Sequence, residues 1–105
     1  MAEKYRWSLE DDFICCMEYL TFVFDHMGDD DLTTFVSRLA QRLPHIERGS
    51  LRMKAQNIKQ IALEQGLEDR LTFSPLANYS RQCKRAFSLA TEEYEKRGKQ
   101  NVKHG

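Results

Sequence analysis

The sequence predicts an all-α fold, a small four-helix domain, and three observations support that prediction. Its 105 residues, 41% of them hydrophobic, suit one compact domain with one modest core. Apolar residues recur at helical spacing in four segments, and no pair of segments alternates with the period of two that strands require. No repeat or linker divides the chain, so we expect a single helical domain over residues 1–98 and a flexible tail over 99–105.

The first helix is predicted near residues 8–27. Ser8 and Asp11 have the spacing of a capping box, with Asp in place of Glu, and three consecutive acidic residues fall in the first turn, where the helix dipole favours them. Phe22 and Val23 give this helix a second apolar side, which is either buried or exposed to a partner. The stripe predicted to face the core is Phe13, Cys16, Met17, Leu20 and Phe24.

The second and third helices are predicted near residues 31–43 and 50–65. The Asp29–Asp31 cluster caps the second helix and Pro44 stops it. Ser50 is a suitable N-cap for the third helix, and Gly66 stands where a left-handed residue would close it. The short turn between the two helices predicts a helix-turn-helix-like core.

The fourth helix is predicted near residues 79–97. Asn78 or Ser80 would cap it, and Gly98 would end it.

Charge is distributed unevenly along the chain although the total, 16 basic and 16 acidic residues, is balanced. Residues 1–37 contain nine acidic and two basic residues, a net charge of −7, and the remainder carries +7. Residues 38–62 alone carry +5, from six basic residues and Glu47. Such asymmetry indicates an interaction surface, because electric fields act locally; the alternative is that the two halves fold back on each other.

Sequence motifs for catalysis are missing, so we expect no enzyme, no catalytic residue and no cofactor. The phosphate-binding glycine loops do not occur, and none of the three histidines has the spacing of a zinc site, so no metal is expected. Cys15, Cys16 and Cys83 are interpreted as buried packing residues. Their odd number, the absence of a secretory signal and the lack of a membrane-spanning apolar run predict a cytoplasmic protein with no membrane partner.

The third helix carries the side chains that predict nucleic-acid binding. Arg52, Gln56 and Lys59 share one polar face at i, i+4 and i+7. Arginine can bond guanine, glutamine can pair with adenine, and lysine and serine can hold phosphates. The predicted DNA-binding residues are Arg48, Ser50, Arg52, Met53, Lys54, Gln56 and Lys59.

Two polar or aromatic residues near this region have open roles. Trp7 would pin the N-terminal segment onto the core, rather than stack on a base. Asn57 would either contact adenine or bond the backbone of the loop that follows its helix.

Parts of the sequence resemble known DNA-associated families. The segment Tyr5–Asp12 resembles the opening of Myb/SANT-like helix-turn-helix domains, in which a tryptophan precedes a capped, acid-rich first helix. The same opening, together with residues 50–58 and 74–80, resembles more closely a helical N-terminal domain of bacterial HNH-endonuclease and restriction-associated proteins. The resemblance implies a DNA-recognition domain without the nuclease half.

The leading prediction is therefore a bacterial or phage regulator that binds double-stranded DNA through its third helix and performs no chemistry. The alternative is a protein–protein module, an inhibitor or subunit of a defence or restriction system, that binds a protein partner through the acidic N-terminal half. A homodimer is left open.

Overall fold

The computed structural model describes residues 6–25, 32–67 and 73–102. Four helices occupy these ranges: α1 (Leu9–Asp25), α2 (Leu32–Arg42), α3 (Arg48–Glu64) and α4 (Arg81–Val102). Every regular element in the described part of the chain is a helix, which confirms the all-α class. None of these helices combines the length and the apolar character needed to cross a membrane.

Serine side chains cap the first and last helices as their positions predict. The backbone N–H of Asp11 donates to Ser8 Oγ at 3.0 Å, and that of Cys83 donates to Ser80 Oγ at the same distance. Each bond satisfies an N–H that has no partner within its own helix. The predicted Asp29–Asp31 cap of α2 lies outside the described residues.

The turn between α2 and α3 is shorter than predicted. Ile46 is buried and its N–H donates to Leu43 O at 3.1 Å, which anchors the turn and lets α3 begin at Arg48. Glu47 takes the N-cap position without a side-chain hydrogen bond, so the assignment of Ser50 as N-cap is wrong. At the other end, Gly66 has a φ of +75° and closes α3 as predicted.

Helix α4 extends further than its sequence suggested. It passes through Gly98 and ends at Val102, so the prediction that Gly98 ends it is wrong. One glycine in a helix costs only about 1 kcal/mol relative to alanine, and the neighbouring Lys and Gln are good helix formers. Four residues assigned to the flexible tail, 99–102, therefore belong to the helix.

Helices α1 and α3 each contact all of the other three helices, so both lie at the centre of the fold. The buried residues of α1 include Cys15, Tyr19, Phe22 and Val23, whereas Phe24 is 45% exposed. The expectation that Phe24 faces the core is therefore wrong, and of the two alternatives for Phe22 and Val23, burial is confirmed. The buried face of α1 is turned by about one residue, roughly 100°, from the predicted stripe. Asp12, fully buried, lies near its middle, and an apolar pattern could not include it.

Phe35 on α2 joins the aromatic side chains of the core. Its ring centroid lies 5.1 Å from that of Phe22, 5.7 Å from Tyr19 and 6.5 Å from Phe73. These rings come from α1, α2 and the segment before α4, so one side chain connects three parts of the chain. Aromatic pairs at such separations add to the stabilisation from burial.

Replacing Phe35 by alanine should lower the free energy of unfolding by about 3–5 kcal/mol, because it leaves a cavity among three aromatic rings. Phe24→Ala, at an exposed position that stacks on Tyr94, should lower it by about 1 kcal/mol or less. Denaturant unfolding followed by circular dichroism measures both values. Equal losses in the two variants would contradict this account of the core.

Candidate nucleic-acid interface

Helix α3 packs into the fold over more than half of its circumference, which leaves a narrow outer face. Eight of its residues are buried, among them both of its lysines. Arg52 and Met53 are exposed, and Gln56 and Gln60 are half-exposed beside them. The outer face of α3, defined as Arg52, Met53, Gln56 and Gln60, carries one charge, that of Arg52, and the exposed Leu63 and Glu64 follow it in the last turn.

Lys54 points into the protein instead of toward a ligand. Its Nζ lies 2.8 Å from Asp12 Oδ1, and the two side chains are 7% and 0% exposed. The ammonium also lies 4.5 Å from the centroid of the Trp7 ring, a cation–π contact. Lys54 thus neutralises a buried carboxylate of α1 and is not available to a phosphate.

Lys59 does not share the outer face with Arg52 and Gln56, so that expectation is wrong. Its side chain is buried, with 7% exposed, and its Nζ lies 5.0 Å from the centroid of the Phe73 ring. The long aliphatic stem of lysine can lie along apolar surface, so a position at i+7 from Arg52 does not guarantee exposure.

The other predicted residues lie at or near the surface. Gln56 Nε2 donates to Ser74 O at 3.2 Å, and Arg48 Nη2 donates to Ser37 Oγ at 2.9 Å. Ser50 and Met53 border a larger cavity described below. The structure also brings Arg48 and Arg52 together on a small hollow of about 140 Å³, whose other walls are Thr33, Val36 and Gly49.

Acidic side chains of α1 neutralise much of the basic segment 38–62. Glu18 pairs with Arg38, at 3.2 Å, and also with Arg42. Asp12 pairs with Lys54. The −7 and +7 halves therefore cancel partly inside the fold. Of the six basic residues in this segment, only Arg48 and Arg52 are left without an acidic partner or a cation–π contact among the described residues.

A buried polar network, which the sequence did not predict, holds the N-terminal segment against α3 and α4. Gln82 Nε2 donates to Asp12 Oδ2 at 2.9 Å and to Trp7 O at 2.7 Å. Trp7 packs against the core with Lys54 over its ring, so the prediction that it pins this segment is confirmed. The sequence signal for this network was Asp12, which stands in the acidic first turn of α1. A capping role explains an acidic residue at that position equally well, so the network could not be predicted from it.

A cavity of about 490 Å³ opens between α3, the start of α4 and Trp7. Ser50, Met53 and Asn57 line it from α3, while Asn78, Ser80 and Gln82 line it from the other side. Asn57 Nδ2 donates to Leu76 O at 2.8 Å. Of the two roles predicted for Asn57, the bond to the following loop is therefore confirmed.

The three cysteines are buried and unbridged. Burial raises the pKa of the Cys15 thiol well above its ordinary value and also raises the pKa of Cys16. The Cys16 thiol forms a hydrogen bond with Cys83, which lowers the pKa of Cys83. All three side chains are inaccessible, which supports their interpretation as packing residues. The described residues also contain no group of three His, Cys, Asp or Glu that could hold a metal ion.

Comparison with protein-family models, with curated proteins and with solved structures finds no match to this chain. The resemblance to Myb/SANT-like and restriction-associated domains therefore stays a prediction.

Replacing Lys54 by methionine should lower the free energy of unfolding by about 3–5 kcal/mol, because it leaves the buried Asp12 carboxylate without its cation. Arg52→Met, on the exposed side of the same helix, should change it by no more than about 0.5 kcal/mol. The double variant Asp12→Leu/Lys54→Met should lose less than the sum of its single variants. Strict additivity in this double-mutant cycle would show that the pair is not coupled.

Thiol reagents should react with the native protein only after it opens, because burial hides all three sulfur atoms and, at Cys15 and Cys16, also disfavours the reactive thiolate. We expect less than one equivalent of dithionitrobenzoate to react rapidly without denaturant, and three equivalents to react in guanidinium chloride. Rapid modification of Cys15 or Cys16 in the native protein would contradict their burial.

Proposed function

We propose that this chain is a non-enzymatic domain that binds double-stranded DNA with the N-terminal half of α3. One observation carries the proposal: Arg48 and Arg52 meet on one hollow, and no described acidic residue pairs with either of them. Helix α2, a tight turn and α3 follow one another in the order of a helix-turn-helix, in which the second helix enters the major groove.

The proposed contacts divide between phosphate binding and base recognition. Arg48 lies at the start of α3 and suits a phosphate, whereas Arg52 belongs to the outer face, from which a guanidinium can reach the edge of guanine. Met53 and Gln56 flank Arg52 on that face. Lys54 and Lys59 have no part in this proposal because both are buried.

Further basic residues stand at the beginning of α4. Arg81, Lys84 and Arg85 are exposed, and α4 starts at the rim of the cavity that Ser50 and Met53 also line. This arrangement would place exposed positive charge beside the α4 side of the cavity. Counterion release from DNA would then contribute to binding and would make it weaken with added salt.

The competing proposal, binding of a protein partner through the acidic half, has less support. Phe22 and Val23, the apolar residues that motivated it, are buried. Asp12 and Glu18 are engaged in ion pairs within the chain. A partner that is captured equally well after nuclease treatment would favour this second function.

Reversing Arg48 and Arg52 together to glutamate should reduce affinity for duplex DNA by at least about tenfold and lower the magnitude of the slope of log K against log salt by about 1, since the phosphate contact proposed for Arg48 is lost. Fluorescence anisotropy of a labelled random-sequence duplex across a salt series measures both quantities. Lys54 and Lys59 are left unchanged, because glutamate at either position would be buried and would unfold the chain.

The matched control for this prediction is the double variant Lys96→Glu/Arg97→Glu on the exposed far end of α4, which changes the net charge equally. It should keep most of the affinity, because its charges lie away from α3. Equal weakening by the two double variants would indicate a non-specific charge effect, and unchanged binding by the first would overturn the assignment of α3.

A further inference from the structure

The cavity between α3, the start of α4 and Trp7 has the dimensions of a small-molecule site. Its volume of about 490 Å³ falls within the range typical of ligand pockets. Trp7 and Met53 provide an aromatic and a thioether wall, while amide and hydroxyl groups provide the polar ones. The lining therefore combines two apolar side chains with several polar groups that can orient a ligand.

Two side-chain amides in the cavity wall have a defined orientation. Asn57 Nδ2 donates a hydrogen bond to Leu76 O. Gln82 Nε2 donates to Trp7 O and to Asp12 Oδ2. All three partners are hydrogen-bond acceptors. The amide nitrogens must therefore face these partners, and the carbonyl oxygens Asn57 Oδ1 and Gln82 Oε1 face away from them.

Neither carbonyl oxygen has a hydrogen-bond partner among the described residues, and neither is sealed inside the protein. Both side chains line the cavity, and each oxygen lies on the side of its amide group opposite to the partners of the nitrogen. Each is held in place by the bonds of its own amide nitrogen. The cavity consequently presents two preorganised acceptors to a ligand that carries N–H donors.

The charge of the wall is balanced. Lys54 is the cation of the cavity lining, and the Asp12 carboxylate neutralises it at 2.8 Å. No described acidic residue lines the cavity. An ionic ligand would lose its hydration without gaining a free counter-charge, so the site favours an uncharged ligand.

Trp7 adds a flat aromatic wall. The ammonium of Lys54, 4.5 Å from the ring centroid, and the bond from Gln82 to the Trp7 carbonyl hold this residue in place. Planar heterocycles pack well against such a surface. We propose that the cavity binds a neutral, planar heterocycle with N–H donors on its edge, the chemistry of an amino-bearing nucleobase or nucleoside.

This inference does not rest on the proposed binding of duplex DNA, because the ligand is a free nucleoside. Trp7 is the only tryptophan of the chain, so its fluorescence reports directly on the cavity. Titration of the full chain with adenosine should give a saturable change in that fluorescence. N6,N6-dimethyladenosine keeps the ring but lacks the exocyclic N–H donors, and it should bind at least about tenfold more weakly.

A cavity-filling variant separates this site from stacking on the protein surface. Asn78→Phe introduces bulk at an exposed lining residue with no internal hydrogen bond among the described residues, and it should abolish the adenosine response while the chain still unfolds cooperatively. Ser88→Phe, exposed on α4 outside the cavity lining, is the matched control and should keep the response.

Nuclear magnetic resonance gives an independent readout. Adenosine should shift the Trp7 indole and the Asn57 and Gln82 side-chain amide signals in the wild-type chain and in the Arg48→Glu/Arg52→Glu variant. The absence of saturable binding, equal binding of the dimethylated nucleoside, or an undiminished response in Asn78→Phe would overturn the proposal. None of these outcomes bears on affinity for duplex DNA, so the two proposals fail separately.

Discussion

The ion pair between Asp12 and Lys54 constrains the packing of the whole domain. An unpaired charge in a protein interior costs several kcal/mol, so α1 and α3 can pack only in the register that brings these two side chains together. Gln82 extends this constraint to α4, because the same carboxylate accepts its amide N–H. Trp7 then covers the ammonium and ties down the N-terminal segment. Three helices and the segment before α1 are thus aligned around one carboxylate.

The same pairing determines which charges reach the surface. Asp12 and Glu18 of α1 engage Lys54, Arg38 and Arg42, so half of the six basic residues in segment 38–62 are neutralised within the fold. The exposed positive charge near the candidate interface comes from two arginines at the start of α3 and from the basic residues at the start of α4. A surface field that could attract DNA therefore arises from a few residues in one region, rather than from the +7 half as a whole.

Sequence patterns located the helices well and their orientations less well. Ser8, Ser80 and Gly66 act as predicted because caps depend on backbone groups within a few residues. The apolar pattern placed the buried face of α1 wrongly, because Asp12 lies near the middle of that face. The burial of Lys59 depends on Phe73, which is fourteen positions further along the chain. For the candidate interface, residue types predicted Arg48 and Arg52 as surface cations. The same residue types could not reveal that Lys54 and Lys59 are sequestered.

The sequence by itself determined the helical class, the caps at Ser8, Ser80 and Gly66 and the turn at Pro44, because these follow from local hydrogen bonding and hydrophobic period. The sequence also determined that the net charge of zero hides two oppositely charged halves, since acidic and basic residues are concentrated in different parts of the chain. Only the tertiary structure decided which of those charges cancel, because pairing depends on the three-dimensional distance between α1 and the segments it packs against. Likewise, it alone created the cavity beside Trp7, whose lining residues are distant in the chain and meet only when α3 and α4 are packed.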